Sequence, residues 1–244
     1  MSKRIKFFLG HLGISSVIAL ILIGLVFFVW YPFPLAKAVG VTHIFLLIIT
    51  IDVILGPLLG FLVYKEGKKT LVIDLSIIIL IQVIALMYGF YSIAQGRPVW
   101  LVFNVDQFEM IRNNEIYQRD ANKAQKEFQS PPLFKPKFAA VEFSKDKKIR
   151  QQEMFDEVLK GITLSSRPER YVDLSILRLK IQSKAQNLDT LRKYNQQDLV
   201  DSTLKSNPTA TGFIPLKATS IDMVVLINKN KGEVVKIVDL RPWK

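Results

Sequence analysis

The sequence predicts a membrane protein of three transmembrane helices followed by an extracytoplasmic α+β domain with a small antiparallel sheet. Three observations carry that class. Half of the 244 residues are hydrophobic, yet the chain holds 33 Lys+Arg against 21 Asp+Glu, a formal net charge of +12. Such totals coexist only if apolar and charged residues are segregated, and they are. Residues 1–98 contain eight basic residues (Lys3, Arg4, Lys6, Lys37, Lys65, Lys68, Lys69 and Arg97) and three acidic ones (Asp52, Glu66 and Asp74), leaving 25 and 18 for the other 146. Within that N-terminal part the apolar residues form three runs, each long enough at about 1.5 Å per residue to cross a ~30 Å hydrocarbon layer. The predicted organisation is therefore a bundle over 1–98 and a soluble domain over 99–244.

The runs are 7–30, 41–64 and 70–94. Tyr31-Pro32-Phe33-Pro34 through Gly40 separates the first two, and Lys65-Glu66-Gly67-Lys68-Lys69 separates the second from the third. Lys3, Arg4 and Lys6 fall on one side with Lys65, Lys68 and Lys69, whereas the other side sees Lys37 and Arg97. Because positive charge is retained on the cytoplasmic face, the N-terminus is expected there and the domain after Arg97 outside. Trp30, Tyr31, Tyr91 and Trp100 lie where an outer aromatic belt belongs. A cleaved signal peptide competes for the first run, since Ala36-Lys37-Ala38 offers a small-x-small site. Its apolar core is much longer than the usual ~7–15 residues, and cleavage would leave the orientation of the soluble domain unchanged.

Polar residues inside a span are costly, so each asks for a partner. Asp52 and Gln82 stand near the centres of the second and third runs, and Ser15 and Ser16 come to a similar depth in the first. They are expected to form one polar layer. His11 and Asp74, each a short way in from the cytoplasmic edge, are expected to face one another. His43 is nine residues from Asp52, about half a rotation around a helix, and reads as an interface residue. Gly56 and Gly60 form a small-xxx-small pair that lets two backbones approach. Pro57 removes an amide that would have donated to Val53. Asp52, Gly56, Pro57, Gly60, Asp74 and Gln82 thus either fix how the three helices pack or receive the helix of another protein.

After Arg97-Pro98 the pattern becomes that of a soluble domain. Val99 to Met110, β-branched and aromatic, predicts a strand. Residues 113–128 place Tyr117, Ala121, Ala124 and Phe128 on one helical face. A proline-rich loop, Ser130 to Pro136, precedes a short strand at 138–143. Helices are predicted at about 146–160, ending at Gly161, and at about 183–204 with Leu188, Leu191 and Leu199 inward. Strands at 213–218, 222–228 and 233–240 complete the domain, the last two joined as a hairpin by Lys229-Asn230-Lys231-Gly232.

Several function classes are excluded. Cysteine is absent, and the two histidines, His11 and His43, both lie in the apolar part. Ser-His-Asp, Cys-His and zinc–thiolate sites therefore cannot be built in the outer domain. It has no glycine-rich phosphate loop and no metal-ligand spacing, so no metal and no cofactor is expected. Lys145, Lys147, Lys148 and Arg150 lack a supporting nucleic-acid motif, so no nucleic-acid partner is expected. Glu153, Asp156 and Glu157 read as a solvated helix face, and no cluster of acids and donors is expected to converge. A domain without chemistry reads as a binding module. A membrane-bound enzyme modifying a protein or a lipid-linked glycan is the alternative, and a membrane sensor has too little cytoplasmic chain to signal through.

Asp52-Val53-Ile54-Leu55-Gly56-Pro57-Leu58-Leu59, followed by Val63-Tyr64-Lys65-Glu66-Gly67-Lys68-Lys69, resembles the type IV pilin accessory proteins of bacteria, the TfpX/TfpZ family. Asp74-Leu75, Gln82, Ala85-Leu86, Tyr88-Gly89, Arg97-Pro98, Phe103, Asp106 and Phe108 continue the likeness, which covers roughly residues 43–108. The resemblance implies a multi-pass protein of the bacterial inner membrane with a periplasmic C-terminal domain. It also implies a pilin-specific chaperone, not an enzyme, whose partner is the type IV major pilin. Other inner-membrane pilus-assembly proteins are further partners to expect.

Overall fold

Ser2 opens the first helix, its hydroxyl accepting from the Ile5 amide at 3.3 Å in place of an absent helical partner. The computed structural model describes every residue, Met1–Lys244. It divides into two units, one of residues 1–36 with 40–96 and the other of residues 37–39 with 97–244.

Three helices long and apolar enough to cross a membrane make up the first unit: Lys3–Trp30, Val41–Val63 and Leu71–Gly96. The first two each contain a wide π turn, at Leu25–Trp30 and at Ile51–Leu55. Between them Gly40 adopts a left-handed φ of 79°, which starts the second helix without a side-chain cap. The first and third helices both pack on the second. Near the start of the chain Phe8 meets Phe61 edge-on at 5.5 Å, Phe7 meets Tyr64 at 5.6 Å, and the Arg4 guanidinium lies 3.9 Å over Phe61 while donating to its carbonyl at 2.7 Å. Toward the other end Trp30 stacks on Phe90 at 5.1 Å, and the Tyr31 hydroxyl donates to the Ile93 carbonyl at 2.7 Å. The first and third helices are thus tied together at one end of the bundle.

The second unit is built on one seven-stranded sheet in the order β4-β3-β1-β2-β5-β6-β7. The strands are β1 (Pro98–Asn104), β2 (Gln107–Arg112), β3 (Lys137–Val141), β4 (Tyr171–Val172), β5 (Gly212–Lys217), β6 (Met223–Asn228) and β7 (Glu233–Val238). The expected small antiparallel sheet is corrected to a larger, mixed one. β1 with β3 and β2 with β5 run parallel, and the other pairs are antiparallel. Parallel neighbours need long crossovers, which residues 105–136 (β1 to β3) and 113–211 (β2 to β5) provide.

Three local expectations also change. Val99–Met110 is a hairpin, because β1 and β2 turn at Val105-Asp106, where Val105 takes a φ of 56°. A β-branched residue rarely adopts that conformation, and no glycine marks the turn. Residues 113–128 are not a helix; they hold two single 3-10 turns, Asn113–Glu115 and Ala121–Lys123. The expected helix over 183–204 is broken into Arg178–Lys184, a 3-10 segment Leu188–Lys193, and Gln197–Lys205. The break is polar. Gln186 exchanges backbone hydrogen bonds with Phe213, Asn187 caps the Asp189 amide at 3.0 Å, and the Asn195 side chain pairs with the Arg241 backbone at 2.7 and 2.9 Å. Leu191 is buried there and Leu188 is packed against the core, but Leu199 is exposed and Val200 takes its place.

Two cores sit on the sheet. One surrounds Trp100, whose ring meets Phe128 at 5.4 Å and Tyr171 at 5.6 Å. The other gathers Leu191, Val200, Phe213, Val224, Leu226 and Leu240. β1 is buried along both faces from Pro98 to Phe103, so its sequence is a continuous apolar run without alternation.

Candidate functional site

The second long helix carries the polar centre of the bundle. In the π turn the Gly56 amide donates to the carbonyl of Ile51, one residue further back than in an α-helix. The next amide would be that of residue 57, which is proline and has none. In this π register the missing amide would have met the Asp52 carbonyl, which is left without that donor. Gln82 of the third helix fills the gap, its Nε2 donating to the Asp52 carbonyl at 3.3 Å. Gly56 makes this reach possible, because a Cβ there would meet Gln82 Nε2 at 1.4 Å.

Gly60 faces the first helix instead, where a Cβ would meet Phe7 at 2.9 Å and His11 Nδ1 at 3.6 Å. Each glycine thus brings one neighbouring helix close, and Gly56, Pro57 and Gly60 are all buried within the bundle. Asp52, Gln82 and Ser15 lie together; Ser16 is not part of the group. Asp74 is apart from it. Lys68 Nζ holds its carboxylate at 2.5 Å and the Thr70 hydroxyl donates to it at 3.1 Å, which corrects the expected His11–Asp74 pairing. His11 joins Asp52 instead.

These residues line a cleft of about 370 Å³ between the first and third helices. Its walls are apolar, with Ile14 and Ile18 on one side and Ile79, Val83 and Leu86 on the other. Two of its polar atoms are unsatisfied. His11 Nδ1 and Gln82 Oε1 are buried without a hydrogen-bond partner. The ion pair of the bundle is Lys68–Asp74, and no cation within the bundle pairs with the Asp52 carboxylate. An apolar cleft with two acceptors and an imidazole at its base suits an apolar surface that carries hydrogen-bond donors.

A second polar cluster, in the outer unit, runs against expectation. The helix Lys147–Lys160 is capped by Asp146 at its start and by Gly161, φ 68°, at its end. Glu153 and Asp156, taken from sequence as a solvated face, are buried; Glu157 is exposed. Arg167 binds Asp156 at 2.7 Å and Glu169 at 3.5 Å, and Arg170 binds Glu153 at 2.6 Å. The same cluster takes in Tyr117, whose ring lies 4.7 Å from the Arg167 guanidinium. Lys160 and Gln152, with Arg167 beside them, donate to Asp156 and hold its carboxyl down at about 2, against the opposing effect of burial. Burial pushes Glu169 up, in opposition to Arg167. Two of the helix's acids turn inward, while Met154, Phe155, Val158 and Leu159 are between 61% and 82% exposed. Two acids and two arginines, each pair three apart and separated by a short turn, formed the signal for this cluster in the sequence.

The chain thus combines three helices long and apolar enough to cross a membrane, with a polar cleft between two of them, and a mixed-sheet domain that buries an arginine–carboxylate cluster. Fimbrial assembly protein FimB is the family whose model matches, over residues 1–40. The fimbrial assembly protein of serogroup E1 from Dichelobacter nodosus is 35% identical over 229 residues, 90% of this chain and 89% of that one. Its serogroup I counterpart is 34% identical over the same shares. A shorter relative, from serogroups C1 and C2, is 44% identical over 108 residues, 43% of this chain and 82% of its own length. The chain belongs to the fimbrial assembly protein family. No solved structure matches it.

Proposed function

We propose that this protein serves the assembly of type IV fimbriae by holding a fimbrial subunit through that subunit's apolar helix before assembly. The observation that carries the reading is the cleft between the first and third helices. It is apolar along its walls, and at its base, beside Asp52, Gln82 Oε1 and His11 Nδ1 are buried without a hydrogen-bond partner. An unsatisfied polar group in hydrocarbon costs several kcal/mol by order of magnitude, so an incoming helix that supplies donors is favoured there. The relatives are named for fimbrial assembly, which supports the process. By the resemblance described above, the subunit is a pilin with an apolar helix and a cationic terminus. The spans cross the inner membrane with the N-terminus cytoplasmic and the sheet domain periplasmic, as the distribution of lysine and arginine favours. The small residues Gly56 and Gly60 serve the bundle's own packing, and the pilin helix uses the cleft beside them.

The reading includes no catalytic step. Glu153, Asp156 and Glu169 are each held by a guanidinium. Such pairing secures the Lys147–Lys160 helix to the domain with its apolar side outward.

The test is photocrosslinking in cells from single positions. Ile14, Ile79 and Val83, in the cleft, should capture the fimbrial subunit. Ile44 and Leu47, exposed on the second helix and outside the cleft, should not. Equal capture from both sets, or none from the cleft, rejects the reading.

A further inference from the structure

The proline-rich loop Ser130–Pro136 carries two adjacent apolar residues, Leu133 and Phe134, that are 72% and 69% exposed. Pro131, Pro132 and Pro136 restrict its backbone, so the tip is presented with little conformational freedom to lose on binding. Lys135 and Lys137 are exposed beside the tip, and the segment from Phe128 to Val141 contains no acidic residue.

Both ends of the loop are fixed at one end of one strand pair. On the incoming side, Arg97 Nη2 donates to the Pro132 carbonyl at 3.4 Å. Arg97 directly follows Gly96, the last residue of the third long helix. On the outgoing side, Lys137 is in register with Trp100 where β3 runs parallel to β1. The chain therefore leaves its apolar helix at the same end of β1 at which the loop is held. An apolar tip flanked by cations matches the membrane interface, where hydrocarbon lies beneath phosphate. A protein partner would ordinarily bury roughly 800 Å² per side, more than a two-residue tip provides.

We propose that Leu133 and Phe134 insert into the outer interfacial layer of the membrane that the three long helices cross, with Lys135 and Lys137 at the lipid phosphates. The inference rests on the reading that those helices span a membrane. It gives the outer domain a second attachment beside the covalent one at Arg97.

The chain has no cysteine, so single cysteines can be placed in the full-length protein. Phe134→Cys and, separately, Leu133→Cys are labelled with a polarity-sensitive fluorophore. The protein is reconstituted in vesicles of phosphatidylethanolamine and phosphatidylglycerol that contain a lipid with its spin label just below the headgroup. Ile84→Cys, in the third long helix, reports on spanning, and Ser202→Cys, exposed in the outer domain, reports on water. The expected result is quenching at 133 and 134 at least threefold greater than at 202. Quenching at 133 and 134 equal to that at 202, with 84 quenched, overturns the proposal and leaves the spanning reading intact. An unquenched label at 84 overturns both. A label at 134 that leaves water only when a fimbrial subunit is added overturns it in favour of a protein contact.

Discussion

Both units bury charged and polar side chains, but they treat them differently. In the outer domain Glu153, Asp156 and Glu169 are each met by a guanidinium from Arg167 or Arg170. In the bundle Asp52 has its backbone carbonyl satisfied by Gln82 and its carboxylate in no ion pair with a lysine or arginine, whereas Gln82 Oε1 and His11 Nδ1 are buried without a hydrogen-bond partner. Pairing is not complete in the outer domain either, since Glu153 Oε2, Glu169 Oε2 and Arg167 Nε are buried without a partner, but each of these buried charges has an opposite charge beside it, which anchors the element. Leaving pairing undone in an apolar cleft is tolerable where another molecule completes it. The first arrangement reads as architecture and the second as a site.

The largest effect should come from the bundle's packing. Gly56→Leu places a side chain where Gln82 sits and should cost about 3 kcal/mol, the upper range for overpacking. Folded protein should fall steeply in membranes, measured by abundance and resistance to detergent unfolding. Normal abundance with lost subunit capture would make Gly56 part of the site instead.

Arg167→Ala comes next, because it leaves the half-buried Glu169 without its guanidinium and takes one of three donors from Asp156 in the outer domain. A thermal midpoint lower by several degrees is expected, with capture from the cleft unaffected once folded protein is matched. An unchanged midpoint would remove the structural reading of the cluster.

The same cluster sets a pH dependence. Asp156 has its folded pKa lowered to about 2, so its contribution is present above the ordinary aspartate range and fades as pH falls through about 2. Glu169 is raised and has the opposite sign: protonation favours the folded state, and that gain is lost as pH rises through its raised value. Denaturation midpoints measured between pH 5 and 2 should fall toward acid, and Asp156→Asn should flatten that fall.

Asp52→Leu distinguishes the two regions most directly. It removes a carboxylate that is in no ion pair with a lysine or arginine, so stability should hold or rise while subunit capture drops about tenfold, or roughly 1.4 kcal/mol. Lost stability with retained capture would assign Asp52 to architecture. The smallest effect, within about 0.5 kcal/mol, is expected for Glu157→Ala, on the exposed side of the Lys147–Lys160 helix.

The three long apolar helices were legible because length and apolarity act over more than twenty residues, and their bounds were read to within a few residues. So were the β6–β7 hairpin and the Gly161 stop, which depend on local turn chemistry. The mixed sheet was not, since no local pattern says that β3 will lie beside β1 or β5 beside β2. The helix expected over 113–128 failed because Ala124 and Phe128 are buried by the Trp100 cluster in 3-10 and extended backbone, which a helical spacing mimics. The polar layer of Asp52, Gln82 and Ser15 followed from depth alone, but depth could not say which carbonyl Gln82 meets. That depends on the π register, which Pro57 hints at without specifying. The buried acids Glu153 and Asp156 were misread because charge usually marks the wet side of a helix, and here it marks the anchored one.

The wide turn at Ile51–Leu55 holds one residue more than an α-helical turn would, so the helix on either side keeps its phase while that residue is absorbed locally. Deleting a single residue within 51–55 should therefore be tolerated better than deleting one elsewhere in the span. It would tighten the turn to α register and leave Phe45 and Gly60 pointing as before, whereas a deletion in Val41–Thr50 would swing everything upstream by about 100°. Length variation among homologous second spans should concentrate at this turn. A variant shortened within 53–55 would keep its bundle and still set Pro57 opposite the Asp52 carbonyl, so Gln82 would remain that carbonyl's donor.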